Sequence, residues 1–378
     1  MNFHHYFDTF RIQFVDSLFA NGHIIRMKRI AVIPGDGIGT EVTNEAKKVI
    51  QTSLAKHTMD IDLVDMDYGA DKFLKTGITM PEDQYDDFRK NYSAILMGAF
   101  GDPRVPGNEH AKDILLGTRF KLDLFVNFRP VKLLDEKFCP LKNKTVNDVN
   151  FTVFRENTEG VYVGIGGVFK KGTSDEVAVQ EEINTRKGVE RIIRYAFEFA
   201  LKNGLKKVAM ADKSNAMQYG HGLWNRCFFE VAKEYPGIQA KHFYIDALAM
   251  MMIRNPEEFE VIVTNNLFGD IITDIGAQLQ GGMGLAASGN INPSGVSMFE
   301  PVHGSAPDIA GKNSANPVAA ILTAEMLLRH LGYLENADMI ERAVRVAIRK
   351  NKLTRELGGE LGTKECGDFI CEVIRTDN

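Results

Sequence analysis

Short apolar runs alternate with helical stretches along most of the sequence, and this alternation constrains the fold more than any other feature. The runs at 28–34, 61–69 and 92–101 predict strands, and the segment from Thr40 to Lys56 predicts a helix with its apolar residues on one face. Four later runs alternate with stretches such as the helical segment at 186–204: FTVFREN, KKVAMADKSN, KHFYIDALA and EVIVTNNLFGD. The pattern predicts an α/β fold, with helices layered on a largely parallel sheet.

Two segments depart from that rhythm. Residues 160–185 are rich in glycine and β-prone residues and contain no helical pattern, which predicts a protruding hairpin arm. The first 26 residues contain neither a long apolar region nor a small-residue cleavage site, so they are a poor signal peptide. We expect residues 1–26 to be an extension outside the fold.

Charge and cysteine content exclude several classes of partner. The net charge of -5 argues against a nucleic-acid partner, because binding phosphates requires a basic face. No apolar stretch reaches the roughly 18 residues that a membrane-spanning helix needs. The four cysteines form no CxxC pair and no zinc spacing, which favours free thiols in a reducing cytoplasm.

The glycines after the first predicted strand resemble a dinucleotide fingerprint only superficially. That fingerprint is G-x-G-x-x-G, whereas residues 35–39 are GDGIG, with the pattern G-x-G-x-G. We therefore expect a tight turn from strand to helix near a cofactor, not a Rossmann site.

Three aspartates each end or follow an apolar strand, namely Asp246, Asp270 and Asp274. Asp270 and Asp274 are four residues apart, so a helix that starts there places both on one face. Oxygen ligands of this kind suit Mg²⁺ or Mn²⁺. The alternative to metal binding is that these acids lie at the start of a helix only because the positive end of the helix dipole favours them there.

Arginines and two proton-transfer candidates accompany these acids. Arg119, Arg129 and Arg155 could grip substrate carboxylates through planar guanidinium forks, although each could instead form a surface salt bridge. Near a metal and arginines, the pKa values of Tyr162 and Lys213 can fall, which would allow proton transfer at neutral pH. Simple packing is the alternative for Tyr162.

The stretch FEPVHGSAPDIAGKNSANP at 299–317 predicts a long loop with many polar and small residues. Its backbone N–H groups could bind phosphate oxygens, and Asp308 could accept from ribose hydroxyls. His303 and Asn316 could contact an adenine or a phosphate. An ordinary structured loop is the alternative.

Taken together and in this order, these segments resemble the β-decarboxylating dehydrogenases, the isocitrate and isopropylmalate dehydrogenase family. The motifs IPGDGIG, FRENTEGVY, NLFGDIITD and EPVHGSAPDIAGK carry the resemblance, which extends from Met27 almost to the C-terminus. It implies an isopropylmalate dehydrogenase-like fold of two α/β domains, formed by 27–124 with 282–378 and by 125–281, with a dimer arm around 160–185. It also implies a homodimer in which residues of both subunits complete each active site.

The resemblance assigns a role to each candidate residue. Arg119, Arg129 and Arg155 would bind the substrate carboxylates, Tyr162 would act as the acid, and Lys213 of the neighbouring subunit would act as the base. Asp246 of that neighbour would contact both the substrate and the Mg²⁺ or Mn²⁺ held by Asp270 and Asp274. The implied cofactor site comprises His303, Gly304, Ser305, Ala306, Asp308, Asn316 and Asn215. Asp308 would repel a 2′-phosphate, so NAD is favoured over NADP.

The substrate implied is a 2-hydroxy diacid that is oxidised and decarboxylated. Leu115 and Leu116 stand one turn before Arg119, where isopropylmalate enzymes present paired leucines, so 3-isopropylmalate and leucine biosynthesis are favoured. Lys112 and the RENTEG sequence at 155–160 depart from that branch and favour isocitrate, homoisocitrate, tartrate or D-malate instead. A non-catalytic regulatory subunit is the alternative of another class, although such subunits lose the tyrosine, the lysine or a metal acid.

Overall fold

A ten-stranded sheet runs through residues 27–377, the part of the chain that the computed structural model describes. The prediction for residues 1–26 lies outside the described residues. The strands are β1 (Lys28–Gly35), β2 (Ile61–Asp65), β3 (Ala94–Ala99), β4 (Val126–Lys132), β5 (Asn150–Glu156), β6 (Gly166–Phe169), β7 (Val177–Gln180), β8 (Lys207–Asp212), β9 (Gln239–Tyr244), β10 (Val261–Thr264), β11 (Ala287–Ile291) and β12 (Ser297–Pro301). Their order in the large sheet is β2-β1-β3-β12-β11-β4-β5-β10-β8-β9.

Helices cover both faces of this sheet. They are α1 (Ile38–Leu54), α2 (Ala70–Thr76), α3 (Glu82–Asn91), α4 (Glu109–Lys121), α5 (Arg186–Lys202), α6 (Gly220–Ala232), α7 (Ile245–Arg254), α8 (Asn266–Leu279), α9 (Val318–His330), α10 (Leu334–Arg349) and α11 (Thr363–Thr376). The predicted α/β class is confirmed. None of these helices is both long enough and apolar enough to cross a bilayer, a finding that covers residues 27–377.

The sheet is parallel at both ends and antiparallel in its centre. β4 runs antiparallel to both β5 and β11, and β11 runs antiparallel to β12. A parallel pair needs a long crossover, usually a helix, whereas β11 and β12 are joined by a short turn. The expectation of a largely parallel sheet is therefore correct except at these three central pairings.

The predicted domain boundary coincides with one of those pairings. All sheet strands assigned to the first domain lie on one side of the β11–β4 pair, and all those of the second lie on the other. Only three residue pairs join the two strands, from Gly289↔Phe128 to Ile291↔Val126. The division into two domains stays a prediction.

The predicted hairpin arm is present. β6 and β7 pair antiparallel as a separate two-stranded sheet, and all eight of their residues are exposed. Phe169 is 67% exposed, and Val168 and Val177 are about half exposed. Exposed large apolar side chains on neighbouring strands are typical of a surface that another chain covers.

Candidate active site

The GDGIG turn lies directly against the loop at 299–317. Gly37 has a φ of 54°, and a Cβ placed there would lie 2.1 Å from the carbonyl oxygen of Ser305. The Ile38 backbone N–H donates a hydrogen bond of 2.8 Å to that same oxygen. Because the turn is so tight, α1 begins at Ile38, two residues earlier than predicted.

The loop offers one buried polar atom without a partner. Nε2 of His303 is buried and makes no hydrogen bond to any described residue. Burial lowers the pKa of His303, so the ring is neutral near pH 7. Such an atom is costly unless a ligand or water pairs with it.

The other predicted cofactor residues differ in solvent exposure. Gly304, Ala306 and Asp308 are exposed, and Ser305 is buried. Asn316 is also buried, and both of its amide atoms are engaged: Nδ2 donates to Gly284 O at 3.0 Å and Oδ1 accepts from Val318 N at 3.1 Å. The Asn316 side chain therefore holds the start of α9 in this structure.

Three arginines, predicted as substrate ligands, converge from α4, β4 and β5. Arg119 donates to Glu300 Oε1 at 2.8 Å, and Arg129 donates to Thr273 Oγ1 at 2.9 Å. Arg155 donates to Oδ1 of Asn266 through Nε at 2.8 Å and pairs with Asp270. Arg129 and Arg155 are almost fully buried.

Positive charge is concentrated in this group. Burial lowers the pKa of both Arg129 and Arg155. Repulsion from Arg119 lowers that of Arg129 further, and repulsion from Arg129 lowers that of Arg155 further, yet a guanidinium stays protonated in proteins. The Nε groups of Arg119 and Arg129 are buried and make no hydrogen bond to a described residue. Two unpaired N–H donors on cations are suited to an anionic ligand.

The two acids of α8 border the arginines. The Asn265 side chain starts this helix by accepting from Phe268 N at 2.8 Å, and Asp270 and Asp274 follow one turn apart. Burial raises the pKa of the Asp270 carboxyl, but Arg155, Tyr162 and Arg129 together outweigh burial and the net shift is downward. Burial raises the pKa of Asp274.

Tyr162 donates a hydrogen bond of 2.9 Å to Oδ2 of Asp270. Burial and the negative charge of Asp270 raise the pKa of the phenol. Without a metal ion beside it, the phenol therefore has a raised pKa, because a carboxylate accepts the hydrogen bond of the Tyr162 hydroxyl. The lowered pKa expected near a metal stays a prediction.

Lys213 and Asp246 form a second, separate group. Lys213 follows β8, Asp246 lies in the first turn of α7, and Nζ of the lysine donates to Oδ1 of the aspartate at 2.8 Å. That hydrogen bond lowers the pKa of Asp246. No hydrogen bond within residues 27–377 joins this pair to the arginine group, and no three His, Cys, Asp or Glu side chains there are placed to hold a metal. Asn215 is exposed in the turn after Lys213.

The predicted apolar wall lies on α4. Leu115 and Leu116 are half-buried, and Leu115 packs against the apolar core beneath the helix. Lys112 is exposed and lies one turn before Leu116 on the same face. Leu116 is thus the better placed of the two leucines to face a ligand.

The side chains that hold the arginines were not predicted from the sequence. Glu300 pairs with Arg119, Asn266 pairs with Arg155, and Thr273 pairs with Arg129. Glu300 was detectable in principle, because it is an acid within the apolar strand β12, where burial requires a partner.

Comparisons with known proteins agree with the fold and with these motifs. Residues 29–373 match the family described as isocitrate/isopropylmalate dehydrogenase. The chain is 44% identical over 351 residues to a 3-isopropylmalate dehydrogenase of Thermobifida fusca, which covers 92% of this chain and 98% of that protein. It is 48% identical over 341 residues to the enzyme of the same name from Corynebacterium kroppenstedtii, covering 89% and 98%. A crystal structure of isocitrate dehydrogenase from Methylococcus capsulatus superposes with a TM-score of 0.84 at 37% identity, covering 93% of this chain and 100% of that one.

Proposed function

The chain belongs to the isocitrate/isopropylmalate dehydrogenase family, and from this premise we propose that it oxidises and decarboxylates 3-isopropylmalate with NAD and Mg²⁺ or Mn²⁺. The products would be 4-methyl-2-oxopentanoate and carbon dioxide, a step in leucine biosynthesis. The observation that carries the proposal is the buried arginine group with unpaired Nε donors on Arg119 and Arg129. This arginine group suits a substrate with two carboxylates. The names of the relatives support 3-isopropylmalate as that substrate.

The residues of the chain would bind and orient the substrate and move its protons. Arg119 and Arg129 would donate hydrogen bonds to the substrate carboxylates through their unpaired Nε groups. Lys213 would take the proton of the 2-hydroxyl, and Tyr162 would return a proton to carbon after decarboxylation. NAD would supply the hydride acceptor, and a divalent cation would supply Lewis-acid stabilisation of negative charge on substrate oxygen.

The residues fit both cofactors. The unpaired Nε2 of His303 beside the GDGIG turn supports a nucleotide at the loop, and the exposed carboxylate of Asp308 supports NAD over NADP. Asp270 and Asp274 supply hard oxygen ligands on one helix face. Asp246 pairs with Lys213 away from these two acids, which supports a site completed by the partner subunit's Asp246. The exposed apolar arm supports such a dimer.

The substrate is tested by kcat/KM for 3-isopropylmalate, isocitrate, homoisocitrate, D-malate and tartrate with NAD and Mg²⁺. An isopropyl group buries about three carbons. The apolar wall formed by Leu115 and Leu116 should therefore favour 3-isopropylmalate over D-malate by about 2 kcal/mol. A higher kcat/KM for any of the other four would contradict the substrate. Turnover in excess EDTA, or a preference for NADP, would contradict the proposed cofactors.

Isocitrate is the second candidate. The exposed ammonium of Lys112 lies one turn from Leu116, and the solved relative from Methylococcus capsulatus is an isocitrate dehydrogenase. A third carboxylate could pair with Lys112, so Lys112→Met should lower kcat/KM for isocitrate if that acid is the substrate and leave 3-isopropylmalate turnover nearly unchanged if it is not.

A further inference from the structure

His221 holds the backbone of Lys213. Lys213 is the first residue after β8, so its backbone N–H no longer has a partner in the sheet and must find one elsewhere. That N–H donates to Nδ1 of His221 at 2.7 Å. The His221 side chain is fully buried in the second position of α6.

This hydrogen bond fixes the tautomer of the ring. A nitrogen that accepts carries no proton, so a neutral His221 must carry its proton on Nε2. Nε2 lies 3.2 Å from Oε1 of Glu182, which can accept the hydrogen bond of that proton. Nε2 also lies 3.0 Å from Nδ2 of Asn265, which donates to the same carboxylate oxygen. Burial raises the pKa of Glu182, but the hydrogen bond to His221 and the other donors around it outweigh burial, so the group is a carboxylate. Glu182 thereby selects the tautomer that can hold Lys213.

Glu182 also connects the Lys213 turn to two other parts of the fold. It lies at the base of the hairpin arm, next to Ile183, which pairs with Gly160 across that base. Its Oε1 accepts a second hydrogen bond, of 3.0 Å, from Nδ2 of Asn265, the residue that starts α8. The cluster of Glu182, His221 and Asn265 therefore joins the arm, the lysine turn and the helix of the metal acids.

We propose that His221, oriented by Glu182, is a positioning residue that fixes the backbone of Lys213 and so aims its ammonium. It acts through Lys213 and does not touch the substrate. The inference rests on the proposed role of Lys213 as the base and adds a residue that the family motifs do not contain. Without this anchor, the Lys213 N–H has no partner and the turn after β8 is held only by the hydrogen bonds that Ser214, Ala216 and Met217 make within it. A small misplacement of a reacting group can cost about 100-fold in rate.

Two substitutions of similar polarity separate the two hydrogen bonds of the ring. His221→Asn keeps an acceptor at the position of Nδ1, whereas His221→Gln places its amide near Nε2 and leaves the Lys213 N–H without its partner. We expect kcat of His221→Gln to fall by about tenfold or more and kcat of His221→Asn to stay within about threefold of the unaltered enzyme. Urea unfolding should show similar losses of stability for both, because both remove the same buried ring.

The same kcat in both variants, or the reverse order, would overturn the inference, because a merely structural ring would lower both alike. If either variant fails to fold, Glu182→Gln and Glu182→Met give the same contrast, since only the glutamine keeps an oxygen that accepts from Nε2. Lys213→Met separates the two proposals. If Lys213→Met is inactive and the two His221 variants have the same kcat, only the positioning role is contradicted. If Lys213→Met is active, both the role of Lys213 as the base and the positioning role of His221 are contradicted.

Discussion

At the scale of single residues, the assignment of Tyr162 and Lys213 as proton-transfer groups gives the first prediction. Tyr162→Phe and Lys213→Met should each lower kcat by about 10²- to 10⁴-fold. Neither change should unfold the protein, because one removes a hydroxyl and the other an ion pair with the largely exposed Asp246. Steady-state NADH formation and circular dichroism measure the two effects, and Tyr219→Phe is the control, since Tyr219 is 93% exposed. Rates near those of the unaltered enzyme would refute the assignment.

A buried histidine far from those groups predicts acid sensitivity. His330 ends α9 against the ring of Phe299, its Nδ1 has no partner among the described residues, and burial lowers its pKa to about 4. The unfolded chain binds this proton near pH 6.5 and the folded chain does so only near pH 4, so stability falls as the pH falls through that interval.

The size of this effect is measurable by urea unfolding. The proton of His330 should lower the free energy of unfolding by about 2 kcal/mol between pH 7.5 and pH 5.0. The side chain of His330→Gln cannot titrate, so this variant should show a weaker pH dependence of stability. If His330→Gln lost as much stability between pH 7.5 and pH 5.0 as the unaltered protein does, the prediction would be contradicted.

Residues within continuous motifs could be predicted from sequence, and residues paired across the fold could not. Arg155, Tyr162 and Asp270 each stand in a recognisable motif. The pairing of Arg119 with Glu300 joins α4 to a strand that lies far along the chain, and no local pattern contains it. The role of His221 depends on Glu182 in the same way, because only the folded chain brings the arm base to α6.

At the scale of elements, the close approach of α8 to β5 gives a prediction about Gly269. A Cβ at Gly269 would lie 2.5 Å from both Cβ and Cγ of Arg155, whose side chain cannot retreat because it is fully buried. Gly269→Ala should therefore lower stability by about 1 to 3 kcal/mol and lower kcat/KM by displacing Arg155. Thermal unfolding and NADH formation measure the two effects.

The matched control is Gly222→Ala in α6. The nearest atom to a Cβ at Gly222 is Nη1 of Arg226 at 3.8 Å, so the methyl group has room. Alanine is better than glycine inside a helix by about 1 kcal/mol, and this variant should gain a part of that. A gain of stability in both variants would show that α8 can move away from Arg155.

The elements themselves were largely predictable because their apolar periods are local. Periodicity identified β1, β3, α5 and the hairpin arm, and the bounds of α1 were wrong by only two residues at each end. The antiparallel centre of the sheet was not predictable, because the direction of β4 relative to β11 depends on pairing between distant parts of the chain.

At the scale of the whole molecule, the proposed sharing of each active site between two subunits predicts complementation between two inactive variants. In a mixed dimer of Tyr162→Phe and Lys213→Met, one site would combine an intact Tyr162 with the partner subunit's Lys213, and the other site would lack both. Random assortment of co-expressed subunits should restore about a quarter of the activity of the unaltered enzyme. If both groups acted within one chain, mixing would restore nothing, and that result would contradict the shared site. Separately purified variants that are assayed before subunit exchange are the control.

The order of strands in the sheet also determines when, during synthesis, each part of the sheet can complete its strand pairing. β4, β5, β8, β9 and β10 neighbour one another in the sheet and are all complete once Thr264 has been made. β3 lacks one of its two neighbouring strands for much longer, because it pairs with β12, in which Ser297 lies opposite Ala94. At the usual rate of translation, about 5 to 20 residues per second, the apolar edge of β3 stays open for about 10 to 40 seconds. The middle of the chain, although made second, can fold first, and the open edge is where a nascent chain is most exposed to aggregation.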